Sequence, residues 1–83
     1  MSEPAGPPTV VVDARGLSCP LPLLEARRAL QLLPAEAVLV VLATDPAAPS
    51  DFADFAFDRD LILEEARNPD GSFRLTLRRP GGD

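Results

Sequence analysis

Histidine is absent from these 83 residues, cysteine occurs once, and four phenylalanines make up the whole aromatic content. A single thiol excludes an internal disulfide, a paired-cysteine redox centre and a zinc site built from thiolates and imidazoles of one chain. Neither a metal nor a cofactor is expected. No apolar run approaches the ~18 residues of a membrane span, and the opening Met1, Ser2, Glu3, Pro4 puts an acid where an export signal carries Lys or Arg. A cytoplasmic protein with a reduced thiol and no membrane partner is expected. Basic residues are also scarce: 8 Lys+Arg against 13 Asp+Glu leave a net charge of -5. Such a field repels phosphate backbones and anionic lipid, so no direct nucleic-acid contact is expected. The sequence has no internal repeat and no glycine-rich phosphate loop between a strand and a helix.

What remains is one small domain, 46% hydrophobic, which at this length hides only roughly 60% of its extended surface on folding. Pro4, Gly6, Pro7 and Pro8 mark residues 1–8 as a flexible leader, and Pro80, Gly81, Gly82 and Asp83 mark 80–83 as a flexible tail, leaving a domain over 9–79. Thr9 to Val12 is β-branched and reads as a first strand. From Pro20 to Leu33 the residues favour helix; prolines 20 and 22 are tolerated only at its start, which predicts that it begins at Cys19 or Pro20. Leu23, Ala26, Leu30 and Leu33 form its core-facing stripe, and Pro34 stops it.

Val38 to Ala43 is a continuous apolar run, the pattern of a central strand covered on both faces or on one face and an interface. Thr44 or Asp45 is placed to cap a second helix with Pro46 in its first turn and Phe52, Phe55 and Ala56 on one face; a loop over 51–60 is the alternative. The Phe52, Phe55 and Phe57 cluster is expected in the core or at its margin. Leu61 to Leu63 and the alternating Phe73, Leu75, Leu77 flank an Asn68-Pro69-Asp70-Gly71 turn and predict a hairpin. The order is βαβαββ: an α/β two-layer sandwich, a four-stranded mixed sheet with two helices on one face and the other face bare.

Cys19 is the one nucleophile. Between a strand and a helix start it lies where unpaired amides and the helix dipole favour an anion, so its pKa is expected below that of a free thiol, stabilised by the amides of Leu21, Leu23 or Leu24 and by Arg15. The alternative is an inert Cys19 buried beneath the helix, in a noncatalytic interaction or regulatory module. Gly16 reads as a turn requirement. Asp13 and Asp45 read as loop caps, Pro20 and Pro22 as residues stiffening an exposed tip, and Leu21 as a partner contact. Arg74, Thr76 and Arg78, with Arg79 nearby, form a small basic patch in which Arg74 and Arg78 are candidates for protein docking. Without interleaved aromatics the patch offers no nucleic-acid platform.

The segment Asp13-Ala14-Arg15-Gly16-Leu17-Ser18-Cys19-Pro20-Leu21-Pro22 resembles the signature of the TusA/SirA-like sulfur-carrier family, in which an Arg-Gly-Leu segment leads into a Cys-Pro-x-Pro helix start. Thr44-Asp45-Pro46 is similar to that family's Asp-Pro helix entry, and the likeness in element order covers about 9–79. The resemblance implies an architecture like the C-terminal domain of a bacterial translation initiation factor. It further implies that Cys19 accepts sulfur as a persulfide from a donor such as a cysteine desulfurase or rhodanese and relays it to an acceptor protein, in tRNA thiolation, sulfur oxidation or a related sulfur or selenium pathway. Members serving tRNA thiolation tend to carry an aromatic-Cys segment and a Gly-His pair; here Asp54, Phe55, Ala56, Phe57, Asp58, Arg59 and Asp60 stand instead. With no histidine to shuttle protons and no second cysteine to resolve a persulfide, a passive carrier is expected.

Overall fold

The computed structural model describes residues 7–81. Six elements follow one another: β1 (Thr9–Ala14), α1 (Leu21–Leu32), β2 (Val38–Ala43), α2 (Ala48–Arg59), β3 (Ile62–Arg67) and β4 (Phe73–Arg78). The sheet order is β1-β2-β4-β3. β1 and β2 run parallel, joined through α1, whereas β4 lies antiparallel to both β2 and β3. Both helices pack on one face, giving the expected two-layer sandwich; the loop alternative for 51–60 is replaced by α2. Of the expected leader, residues 1–6 lie outside the described residues; Pro8 already pairs with the sheet, its carbonyl accepting from the Val38 amide at 2.8 Å. Of the expected tail, residues 82 and 83 lie outside as well.

Strand alternation sends Leu39, Val41 and Ala43 of β2 and Leu75 and Leu77 of β4 to the helical side, where they meet Ala26 and Leu30 of α1 and Ala48, Phe52 and Ala56 of α2. Small alanines on both helices let the backbones lie close to the sheet, and Phe52 is the largest fully buried side chain. Leu23 and Leu33 pack only at the margin of this core. Leu33 has left the helix, as the C-cap in extended conformation, because Pro34 disfavours helical backbone in the residue before it. Phe57 is corrected from core to surface, being 86% exposed: one residue past Ala56, it is turned about 100° off the Phe52–Ala56 stripe.

The bare face carries Val11, Val38, Val40 and Leu42 opposite the core set. β2 is covered by a layer on one face only, yet Val40 is just 3% exposed, since its cross-strand neighbours Val11 and Thr76 lie beside it in register.

The two helix starts also differ from expectation. α1 begins at Leu21 with Pro20 as its N-cap residue, because Cys19 and Pro20 belong to a turn closed by the Leu21 amide on the Ser18 carbonyl, 2.8 Å. α2 begins at Ala48, with Pro49 rather than Pro46 near its first position. Asp45 closes a separate turn ahead of it, its carbonyl accepting from the Ala48 amide at 2.9 Å.

Candidate functional site

Parallel pairing of β1 with β2 brings the loops leaving both strands to the same end of the sheet, beside the starts of both helices. Gly16 stands there with φ +84, the left-handed region that glycine enters without a Cβ penalty, and its amide donates to Thr44 Oγ1 at 2.9 Å. A second tie follows: the Cys19 amide donates to Asp45 Oδ2 at 2.6 Å, while Asp45 Oδ1 accepts from the Ala47 amide at 3.1 Å. Asp45 therefore holds two loops together, a role wider than the local cap read from the sequence. Asp13 acts locally: Oδ1 accepts from the Arg15 amide at 3.2 Å and from Arg15 Nε at 2.8 Å, and Oδ2 accepts from Nη2 at 2.8 Å.

Cys19 is exposed, which overturns the alternative of a structural thiol buried beneath α1. The expected depression of its pKa is also overturned. The thiol lies above its ordinary range, pushed up first by the Asp51 carboxylate as an acceptor that favours the protonated form, then through partial desolvation and the negative charges of Asp51 and Asp45. Two of the three amides expected to stabilise a thiolate are engaged. Leu21 donates to Ser18 and Leu24 to the Pro20 carbonyl, 3.1 Å, and Pro20 and Pro22 have no N–H to offer.

Arg15, expected to support the sulfur electrostatically, is instead bound by carboxylates, with Nη2 2.8 Å from Asp13 and Nη1 3.5 Å from Asp70. It thereby joins the cysteine loop to the β3–β4 turn. Asp70 in turn accepts from the Ser72 amide and hydroxyl at 2.9 and 2.6 Å, and these bonds together with Arg15 hold it below the usual carboxylate range.

Pro20 is exposed, but Pro22 is buried within the first turn of α1, so only the first of the two belongs to an exposed tip; alternate residues of a helix turn face roughly opposite ways. Leu21 is 45% exposed beside the cysteine. Arg74 and Arg78 stand on the bare sheet face with Thr76, across the sheet from the helical layer, and Arg78 pairs with Glu64 at 3.4 Å. Leu21 and these arginines do not form one surface. Arg79 leaves the expected patch altogether: its guanidinium donates to the carbonyls of Pro34 and Leu30 at 3.1 and 3.0 Å, at the C-terminus of α1. The residue that sequence reasoning missed is Asp51. Its only sequence signal was an acid in the first turn of a helix, a common stabiliser of helix dipoles. Among the described residues no group of three or more His, Cys, Asp or Glu is placed to hold a metal ion, and no helix is long and apolar enough to cross a membrane.

Fold and site together define a small α/β sandwich that displays one thiol at the sheet end where two loops are bonded to each other. Residues 10–79 match the sequence model of the family described as Sulfurtransferase TusA. A Neisseria meningitidis protein described as a candidate sulfur carrier is 43% identical over 67 residues, covering 81% of this chain and 90% of the relative. The sulfur carrier protein TusA of Allochromatium vinosum is 38% identical over 68 residues, covering 82% and 90%. The crystal structure of a SirA-like protein from Desulfitobacterium hafniense superposes with a TM-score of 0.74 at 25% identity, covering 82% of this chain and 93% of that one. The chain belongs to the TusA/SirA-like sulfur-carrier family, and that membership supports a sulfur-carrier role.

Proposed function

We propose that this protein carries sulfur as a persulfide on Cys19, taking it from a donor protein and delivering it to an acceptor protein. The observation that carries this reading is the display of the chain's one thiol in an exposed loop, anchored through the Cys19 amide to Asp45, in a chain of this family. In the loading step the Cys19 sulfur attacks the outer sulfur of a donor persulfide. The donor's S–S bond breaks, its inner sulfur leaves with the electron pair and takes up a proton, and Cys19-S-SH remains. No net oxidation occurs, so no oxidant is required.

The rest of the loop supports the attack by position. Gly16 and Asp45 fix the loop against β2, Pro20 restricts the residue beside the sulfur, and Leu21 offers an apolar contact to a docked protein. A cysteine desulfurase or a rhodanese is the class of donor whose own cysteine persulfide suits this exchange. Delivery needs an acceptor with its own nucleophile or reductant, because this chain has no second thiol. Arg74 and Arg78 suit docking of an acidic protein surface on the bare face; charge reversal at both should weaken acceptor or donor affinity.

Intact-mass measurement tests the reading. After incubation with a persulfidated donor, the native chain should gain one sulfur and Cys19→Ala none; equal labelling of both chains would refute it.

A further inference from the structure

The reactive residue is bonded directly to a carboxylate. The Cys19 amide lies 2.6 Å from Asp45 Oδ2, and covalent geometry keeps a cysteine's sulfur within about 4 Å of its own nitrogen in any rotamer. A negative charge therefore stands no more than about 7 Å from the sulfur, inside the Debye length of ~8 Å at physiological salt. Asp45 is also fixed there, since its other oxygen accepts from the Ala47 amide at 3.1 Å.

The cations of this end do not offset that charge. All basic residues of the chain are arginines, and the one in the cysteine loop, Arg15, is bound by Asp13 at 2.8 Å and Asp70 at 3.5 Å. Arg67 stands on the far edge strand β3, over the Phe73 ring and 4.6 Å from its centroid. Arg27 and Arg28 lie a turn further along α1, Arg28 beside Glu25 at 3.7 Å. The start of α1 is a weak counterweight: Pro22 has no N–H, and the Leu21 and Leu24 amides already donate to Ser18 and Pro20. Asp51, in the first turn of α2, adds a further acid to this end of a chain of net charge -5.

We infer that Asp45 is a specificity-determining residue for sulfur loading, its carboxylate disfavouring anionic sulfur donors at Cys19 relative to neutral or cationic ones. The inference rests on the carrier reading above and adds to it the sign of the donor's charge. In the loading step the donor's outer sulfur comes to bonding distance of Cys19, which carries any acidic group of a small donor into the field of Asp45. Small acidic persulfides are therefore poor donors.

Alkylation separates this role from loop positioning. Iodoacetamide is neutral and iodoacetate anionic, and both react with the same thiolate, so the ratio of their rates cancels the thiol's acidity. The ratio is measured at neutral pH on the native chain, Asp45→Asn and Thr44→Val, with circular dichroism confirming that each is folded. Asp45→Asn removes the charge, and the preference for iodoacetamide should fall about two- to threefold at ~10 mM salt, the effect of one unit charge at this distance in water. Thr44→Val breaks the Gly16 tie without changing charge and should keep the native ratio. At about 1 M salt the native chain and Asp45→Asn should agree. Glutathione persulfide, which is net negative, and cysteamine persulfide, which carries an ammonium, are then offered as sulfur donors. By intact mass, the native preference for the second over the first should shrink about twofold in Asp45→Asn and persist in Thr44→Val. Equal ratios in the native chain and Asp45→Asn at low salt, or an equal fall in Thr44→Val, would overturn the inference while leaving the carrier reading intact. Absence of sulfur gain by the native chain from a persulfidated donor protein would instead remove the carrier reading, with the alkylation ratios still standing.

Discussion

Arg15 and Asp13, two residues apart, illustrate how side chains at this site satisfy one another before they act on anything else. The bidentate contact, with both bonds at 2.8 Å, holds the Asp13 carboxyl down at about 2, against an unfolded value of about 3.9. A carboxylate with a depressed folded pKa contributes stability that is present above its unfolded pKa and lost as pH falls through the folded one. The loop should therefore keep its Arg15 clasp down to about pH 4 and release it between there and about pH 2. Carboxyl NMR of Asp13 measures this directly; a midpoint near 4 would mean that the clasp is not populated in solution. Both side chains are solvent-accessible, so added salt should move the midpoint upward. The pair is visible in the sequence as neighbours, but spacing alone does not say whether the Arg15 guanidinium turns to Asp13 or to the sulfur. Nothing in local spacing shows that Asp70, in the distant β3–β4 turn, takes its other side.

Elements here end where side chains from elsewhere in the chain reach them. α1 stops ahead of Pro34, as its sequence dictates, but the Leu30 carbonyl in its last turn and the Pro34 carbonyl just beyond it accept from Arg79, from just past β4. A cation at a helix C-terminus is favourable both as a donor and against the dipole. Arg79→Ala should cost about 1 kcal/mol for the loss of two part-exposed, charge-assisted bonds, read as a lower urea midpoint with unchanged thiol reactivity. A loss indistinguishable from zero would show that the contact is screened away. The same lesson holds for α2. The acid-proline pair at Asp45-Pro46 was legible as a helix entry, yet the helix proper begins after a further turn, because both Asp45 oxygens are recruited by amides. Phe57 follows two phenylalanines of the stripe closely in sequence, but the helical period turns it away from them to the surface.

The molecule as a whole is a thin sandwich with one packed layer between sheet and helices, which makes its largest core side chain decisive. Phe52 is fully buried against alanines and the leucines of β2 and β4, so Phe52→Ala leaves a cavity that small neighbours cannot fill. The expected loss is about 3–5 kcal/mol, a large part of the stability of a domain this small. Chemical denaturation should show the variant partly unfolded at room temperature; a loss under about 1 kcal/mol would mean the site collapses freely. Sheet topology also determines what the site end can be. Because β1 and β2 are parallel, the loops following both strands emerge together, and the thiol, the Asp45 tie and the first turn of α2 meet without any insertion.

By itself the sequence determined the order of elements, the layer facing the helices and the place of the thiol between β1 and α1, since periodicity, proline positions and turn residues act over a few neighbouring residues. It also determined which bases the chain lacks. Tertiary structure decided what surrounds the sulfur: Asp45 is 26 residues away along the chain and reaches the Cys19 amide, and Thr44 reaches Gly16 across 28. A thiol's acidity depends on the charges and donors within a few ångströms of it. Here those are carboxylates delivered by a crossing loop and helix, so the local cue of a helix start points to an ionised sulfur while in the folded chain these carboxylates push the thiol's pKa up.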